Sequence, residues 1–122
     1  MQASLHIHLD FYECRADPAI FTSSETEGAI IKCINGAGFT VRKSCFDIFN
    51  GGGFTHFISI AESHVIVGTW PEDKWVEIDI VSCNYTQDNS EKAYELERLL
   101  KELFLPERIE RDERSRGPAR DF

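Results

Sequence analysis

Strict alternation of apolar and polar positions marks the start of the chain. Across residues 4–12, SLHIHLDFY, Leu5, Ile7, Leu9 and Phe11 share one side, and His6, His8 and Asp10 share the other. That is the period of a strand with one buried face. The period then changes. Across residues 23–38, SSETEGAIIKCINGAG, Ile30, Ile31 and Ile34 form a helical stripe, Ser24 and Glu27 have capping-box spacing, and Gly36 or Gly38 ends the run. Residues 39–49 read as a second strand and residues 50–53, NGGG, as a hairpin turn. FTHFISIA and HVIVGTW read as third and fourth strands that meet at Glu62 and Ser63. PEDK is a further turn. In the fifth strand, WVEIDIVSC, Val76, Ile78 and Ile80 lie opposite Glu77 and Asp79. A second helix over residues 90–104 carries Ala93, Leu96, Leu99, Leu100, Leu103 and Phe104 on one stripe, and Pro106 stops it.

The order β-α-β-β-β-β-α predicts an α+β fold, a two-layer α/β sandwich whose mainly antiparallel sheet carries two helices on one face. One domain is expected over residues 1–106. Residues 107–122 are mixed in charge and nearly free of apolar side chains. They predict a charged, flexible tail, after at most a short edge strand.

Composition narrows the partners. The 122 residues carry a formal net charge of −8, with 42% hydrophobic and 28% charged residues. An acidic chain of ordinary globular composition argues against nucleic acid and anionic membrane, which need clustered Lys and Arg. It suits a small cationic ligand. The N-terminal stretch has no basic region followed by an apolar one, and no apolar run is long enough to cross a bilayer. The four cysteines form no C-x-x-C pair. A cytoplasmic location with reduced thiols is the expectation.

Three groups of residues offer chemistry. His6, His8 and Asp10 share a strand face at metal-binding spacing, but no fourth ligand accompanies them, so no metal is expected and a solvated or interface-facing surface is preferred. Cys83 ends the fifth strand, as a small buried hydrophobe or as a proton donor. Glu62, Ser63 and His64 interrupt two otherwise apolar strands. Adjacent strand residues point to opposite faces, which weakens a Ser63–His64 nucleophile pair, and G-x-S-x-G is absent. A strained turn opens another route: the Ser63 hydroxyl attacks the carbonyl before it, and elimination and hydrolysis leave a pyruvoyl group.

The segment ESHVIVGTWPE followed by VSC, with HIHLDFYEC and FDIF before it, resembles the short prokaryotic S-adenosylmethionine decarboxylase proenzymes. The resemblance runs from His6 to about Phe104. It implies self-cleavage between Glu62 and Ser63, with Ser63 becoming the pyruvoyl cofactor at the head of the second fragment. It implies that Cys83 helps donate a proton, and that Phe49, Trp70 and Glu72 stand near the substrate, an aromatic ring on adenine and a carboxylate on ribose. It implies sites formed at a homodimer interface. The pyruvoyl carbonyl would take the substrate amine as a Schiff base and draw off the electrons released with CO₂.

Three positions depart from the family pattern. Gly68 replaces the histidine that promotes processing, Thr55 replaces a serine, and Asp47 replaces another histidine. His56 or His64 is left to supply an imidazole. The expected catalytic residues are therefore Ser63, Cys83, Glu62, Thr55 and His64, and the expected substrate-binding residues Phe49, Trp70, Glu72, Asp47 and Asp10. The expected activity is S-adenosylmethionine decarboxylation in spermidine biosynthesis. The alternatives are an ornithine or arginine decarboxylase of the same family, suited by the added acidity, and an unprocessed homologue that binds without chemistry.

Overall fold

In the computed structural model, which describes residues 1–50 and 52–122, six strands form one antiparallel sheet. The strands are β1 (Gln2–Tyr12), β2 (Thr40–Ile48), β3 (Phe54–Ala61), β4 (Ser63–Trp70), β5 (Trp75–Cys83) and β6 (Arg108–Ala119). Their order across the sheet is β2-β3-β4-β5-β1-β6. Three helices, α1 (Ala19–Thr22), α2 (Glu25–Gly36) and α3 (Ser90–Phe104), cover one face. None is long and apolar enough to cross a membrane among the described residues. The α+β class and the helices on one face agree with the expectation. So does the apolar pattern: Leu5, Ile7, Leu9 and Phe11 of β1 and Val76, Ile78 and Ile80 of β5 meet Ile30, Ile34, Ala93, Leu96, Leu100 and Phe104 in one core.

One local reading is corrected. The expected capping box does not form. Ser24 makes no side-chain cap; Ser23 Oγ accepts from the Glu25 N–H at 3.1 Å, and Glu27 instead accepts from Ser44 Oγ at 3.0 Å. The one-turn helix α1 sets this, because it feeds the chain into α2 with Ser24 already helical. Part of the expected NGGG turn, Gly51, lies outside the described residues. Around it, the Phe49 N–H donates to the Gly53 carbonyl at 2.8 Å.

The larger difference is at the C-terminus. Residues 108–119, expected as a tail, form a twelve-residue edge strand beside β1. Only Ile109 of β6 packs against the core. The strand is held by its main-chain ladder and by polar pairs: Arg111 bridges Glu97 of α3 and Glu113, and Tyr94 donates to Glu113 at 3.0 Å. A charged edge also resists pairing with further chains.

The second face of the sheet carries no helix. Register sets its side chains in rows across all six strands. One row reads Asp47, Thr55, Gly68, Glu77, Asp10, Glu110; another reads Lys43, Ser59, His64, Val81, His6, Arg114. The first is acidic and the second basic. Between them lie Phe57 and Ile66, Phe57 being 48% exposed.

Candidate active site

The expected site residues divide into two groups on this open face. The first is built at the β3–β4 corner. Ser63 takes a positive φ of 101°, in the region that a residue with a side chain adopts only under strain. That turn breaks the regular alternation, and it overturns the expectation that Ser63 and His64 point apart: Ser63 Oγ and His64 Nδ1 lie 3.2 Å from each other. The Cys83 N–H donates to the Glu62 carbonyl oxygen at 3.3 Å, and Thr86 donates to the Glu62 carboxylate at 3.3 Å. Asn89 holds the Cys83 carbonyl at 2.9 Å. Glu62, Ser63, His64 and Cys83 are thus one cluster: a hydroxyl beside a ring nitrogen, next to a carbonyl whose oxygen already accepts a main-chain hydrogen bond.

The second group lines a cavity of about 330 Å³ at the other end of the same strands. Phe49, Thr55, Trp70 and Glu72 are in its wall, together with Gly68, Glu77 and Asp79. Trp70 stacks on Trp75 at 5.3 Å, Trp75 on Tyr12 at 6.4 Å, and the Arg108 guanidinium sits 4.0 Å above Tyr12. Asp47 faces Thr55 across β2 and β3 but is not in the wall. Asp10 also stands outside the cavity and accepts from the Trp75 indole N–H at 3.0 Å. Sequence reasoning had Glu77 and Asp79 as the polar side of β5 and gave them no role. No sequence pattern singles Glu77 out; its place beside Gly68 appears only in the strand register.

The two groups are far apart within one chain. Ser63 and Gly68 are five residues apart on one strand, roughly 17 Å. Their surroundings also differ in charge. Burial, then Arg116, His8, His64 and Arg114, hold the His6 imidazole below its usual pKa, and the Ser63 end carries the row of Lys43, His64, His6 and Arg114.

His56 is not at either group. It lies on the helix-covered face, buried, with Nε2 2.7 Å from Ser44 Oγ and no partner for Nδ1 among the described residues. Burial lowers its pKa to about 4. It has no route to Ser63, and His64 alone of the two expected imidazoles touches the serine. His8 pairs with Asp79 at 2.6 Å on the open face, and no three His, Cys, Asp or Glu side chains converge on a metal position among the described residues.

Comparison with known proteins decides the family. The family model of S-adenosylmethionine decarboxylase matches residues 5–117. The chain belongs to the S-adenosylmethionine decarboxylase family. Among its relatives, the S-adenosylmethionine decarboxylase proenzyme of Aeropyrum pernix is 32% identical over 88% of this chain and 78% of its own length. That of Archaeoglobus fulgidus is 34% identical over 84% of this chain and 87% of its own. The fold matches the crystal structure of an adenosylmethionine decarboxylase from Aquifex aeolicus with a TM-score of 0.85, at 24% identity, over 99% of this chain and 96% of that one. Membership makes the chain a decarboxylase of the S-adenosylmethionine type.

Proposed function

We propose that the chain cuts itself between Glu62 and Ser63 and then decarboxylates S-adenosylmethionine, with a pyruvoyl group made from Ser63. The observation that carries this reading is the corner itself. A strained serine presents its hydroxyl to an imidazole, beside a carbonyl whose oxygen the Cys83 N–H already holds. Attack on a carbonyl builds charge on its oxygen, and a preset donor there is the largest help a site can give. The residues fit the group. Ser63 heads β4 and is paired with Ile60 and Ser82, so a new N-terminus at residue 63 stays fixed by two ladders.

When formed, the pyruvoyl group supplies an electron sink for the pair released with CO₂. The chain's residues do the rest. Phe49 and Trp70 offer aromatic faces to adenine and to a sulfonium. Glu72 offers a carboxylate to ribose hydroxyls. Cys83, at the mouth of the corner, returns a proton to the carbon that lost CO₂.

This reading needs two copies. The substrate cavity and the Ser63 corner are at opposite ends of one face, and a homodimer with the open faces together brings them into contact. A two-fold axis across the strands near Ile66 lays the basic row of one copy on the acidic row of the other: Lys43 on Asp47, His6 on Asp10, Arg114 on Glu110. The apolar strip of Phe57 and Ile66 falls at the centre, as in other subunit contacts. Each active site then takes Ser63 and Cys83 from one copy and the cavity from the other.

Intact-mass measurement of the purified protein tests the proposal. Two fragments, residues 1–62 and 63–122, with residue 63 blocked as pyruvoyl, and CO₂ release from carboxyl-labelled S-adenosylmethionine are the expected results. A single uncut chain after long incubation would overturn the mechanism.

A further inference from the structure

Gly68 leaves a gap in the row that faces the Ser63 corner in such a dimer, and the side chain of Glu77 covers it. A Cβ built on Gly68 would stand 3.6 Å from Glu77 Oε1 and 3.7 Å from its Cγ. Glu77 therefore lies across the sheet over Gly68, not along its own strand. It is exposed and reaches into the cavity wall beside Thr55. Within that row Thr55 brings a hydroxyl, Gly68 nothing, and Glu77 the titratable group over the gap.

The two-fold that pairs the basic and acidic rows sets position 68 of one copy over position 64 of the other. Packed sheets stand about 10 Å apart, a gap that a histidine from one sheet and a glutamate from the other span together. His64 already spends Nδ1 on Ser63 Oγ. Its Nε2 is the nitrogen left to face the second copy.

We infer that Glu77 of one copy hydrogen-bonds His64 Nε2–H of the other and so completes a hydroxyl–imidazole–carboxylate relay for self-cleavage, Ser63–His64–Glu77, formed only between subunits. The inference rests on the self-cleaving dimer proposed above. The carboxylate acts as a positioning group. It fixes the tautomer in which Nδ1 is the free acceptor, and it stabilises the imidazolium once formed. The step balances. Ser63 Oγ gives its proton to His64 Nδ1 and bonds to the Glu62 carbonyl carbon. The Glu62–Ser63 C–N bond breaks, the same proton passes from His64 to the released Ser63 nitrogen, and an ester replaces the peptide. The gap at Gly68 is what lets the carboxylate through.

The test follows cleavage of newly synthesised full-length chain by intact mass, with dimer content checked by light scattering. Glu77→Gln, which keeps shape and removes charge, is expected to cut at least about 10-fold more slowly, and up to about 10⁴-fold where the carboxylate fixes the tautomer of a working imidazole. Glu77→Asp is expected to recover part of the rate. The decisive arm co-expresses Glu77→Gln with Ser63→Ala. In mixed dimers the Ser63 of the first chain meets the Glu77 of the second, so the Glu77→Gln chain regains the wild-type rate. Wild-type cutting by Glu77→Gln alone in dimers would overturn the relay and leave the self-cleavage reading intact. A slow variant not rescued by the Ser63→Ala chain would overturn it too, by placing the carboxylate's action within one copy. An uncut wild-type chain would overturn both.

Discussion

The main-chain N–H of Cys83 points at the carbonyl oxygen of Glu62, 3.3 Å away. In the proposed mechanism, residue 83 therefore serves the corner in two separable ways, through its backbone before the cut and through its thiol after it. Cys83→Ala keeps the first and loses the second. It is expected to cleave like the wild type and to release CO₂ about 10²-fold more slowly, the usual share of a general acid. Intact mass and a decarboxylation assay on the same sample separate the two.

The proposed division of the site between copies gives a stricter prediction. Ser63→Ala lacks the cofactor and Glu72→Ala lacks a cavity carboxylate, so each homodimer is expected to be inactive or strongly impaired. Co-expressed, half of the dimers are mixed and each of these holds one whole site, giving about a quarter of wild-type activity. A site contained in one chain would give no recovery.

The charge matching of the proposed dimer can be reversed. Lys43→Asp puts like charges together at two symmetric places and is expected to weaken the dimer at least tenfold. Asp47→Lys added to it restores opposite pairs. Sedimentation at low and high salt checks both, because screening weakens the wild-type dimer as well.

Acid stability is expected to depend on His56. Its folded pKa of about 4 is below the usual 6.5, with burial outweighing the pull of Glu27. The unfolded chain therefore binds a proton that the folded chain refuses. Stability is whole above pH 6.5 and falls as pH drops toward 4, by at most about 3 kcal/mol. Urea unfolding at pH 7 and pH 5 is expected to show a smaller loss for His56→Gln, which keeps a donor for Ser44.

Gly53 is the tightest backbone contact of the cavity. A Cβ there would stand 2.2 Å from the Thr69 carbonyl oxygen. Thr69 also accepts from the Phe54 N–H and donates to the Phe21 carbonyl, at 3.0 and 2.8 Å, so it cannot retreat without losing both. Gly53→Ala is expected to lose about 2 kcal/mol or more of stability and to displace Phe49 from the cavity. Chemical denaturation and substrate KM report the two effects.

The legible parts of the sequence were those written in hydrophobic period. β1, β5 and α3 were readable because each buries one side. β6 was not, since Arg111 and Glu113 face the helices as an ion-paired polar surface and leave no alternation to see. The break at Glu62–Ser63 and the place of Cys83 were legible through motif spacing. The Ser63–His64 contact was hidden by a single torsion angle, for strand geometry forbids what a positive φ permits. Glu77 stayed in the background because a glutamate on a polar strand face is ordinary until its neighbour proves to be a glycine.

The strand order has a last consequence for the life of the molecule. A cut after Glu62 would leave β1, β2 and β3 in one piece and β4, β5 and β6 in the other, while β1 stays threaded between β5 and β6. The pieces are interleaved along three seams, so neither can slip free without opening all three ladders between them. Before the cut, refolding is a single-chain event; afterwards it demands that two strangers meet. Maturation would thus turn a reversible fold into one with a memory, and a processed molecule, once melted at low concentration, is expected not to return.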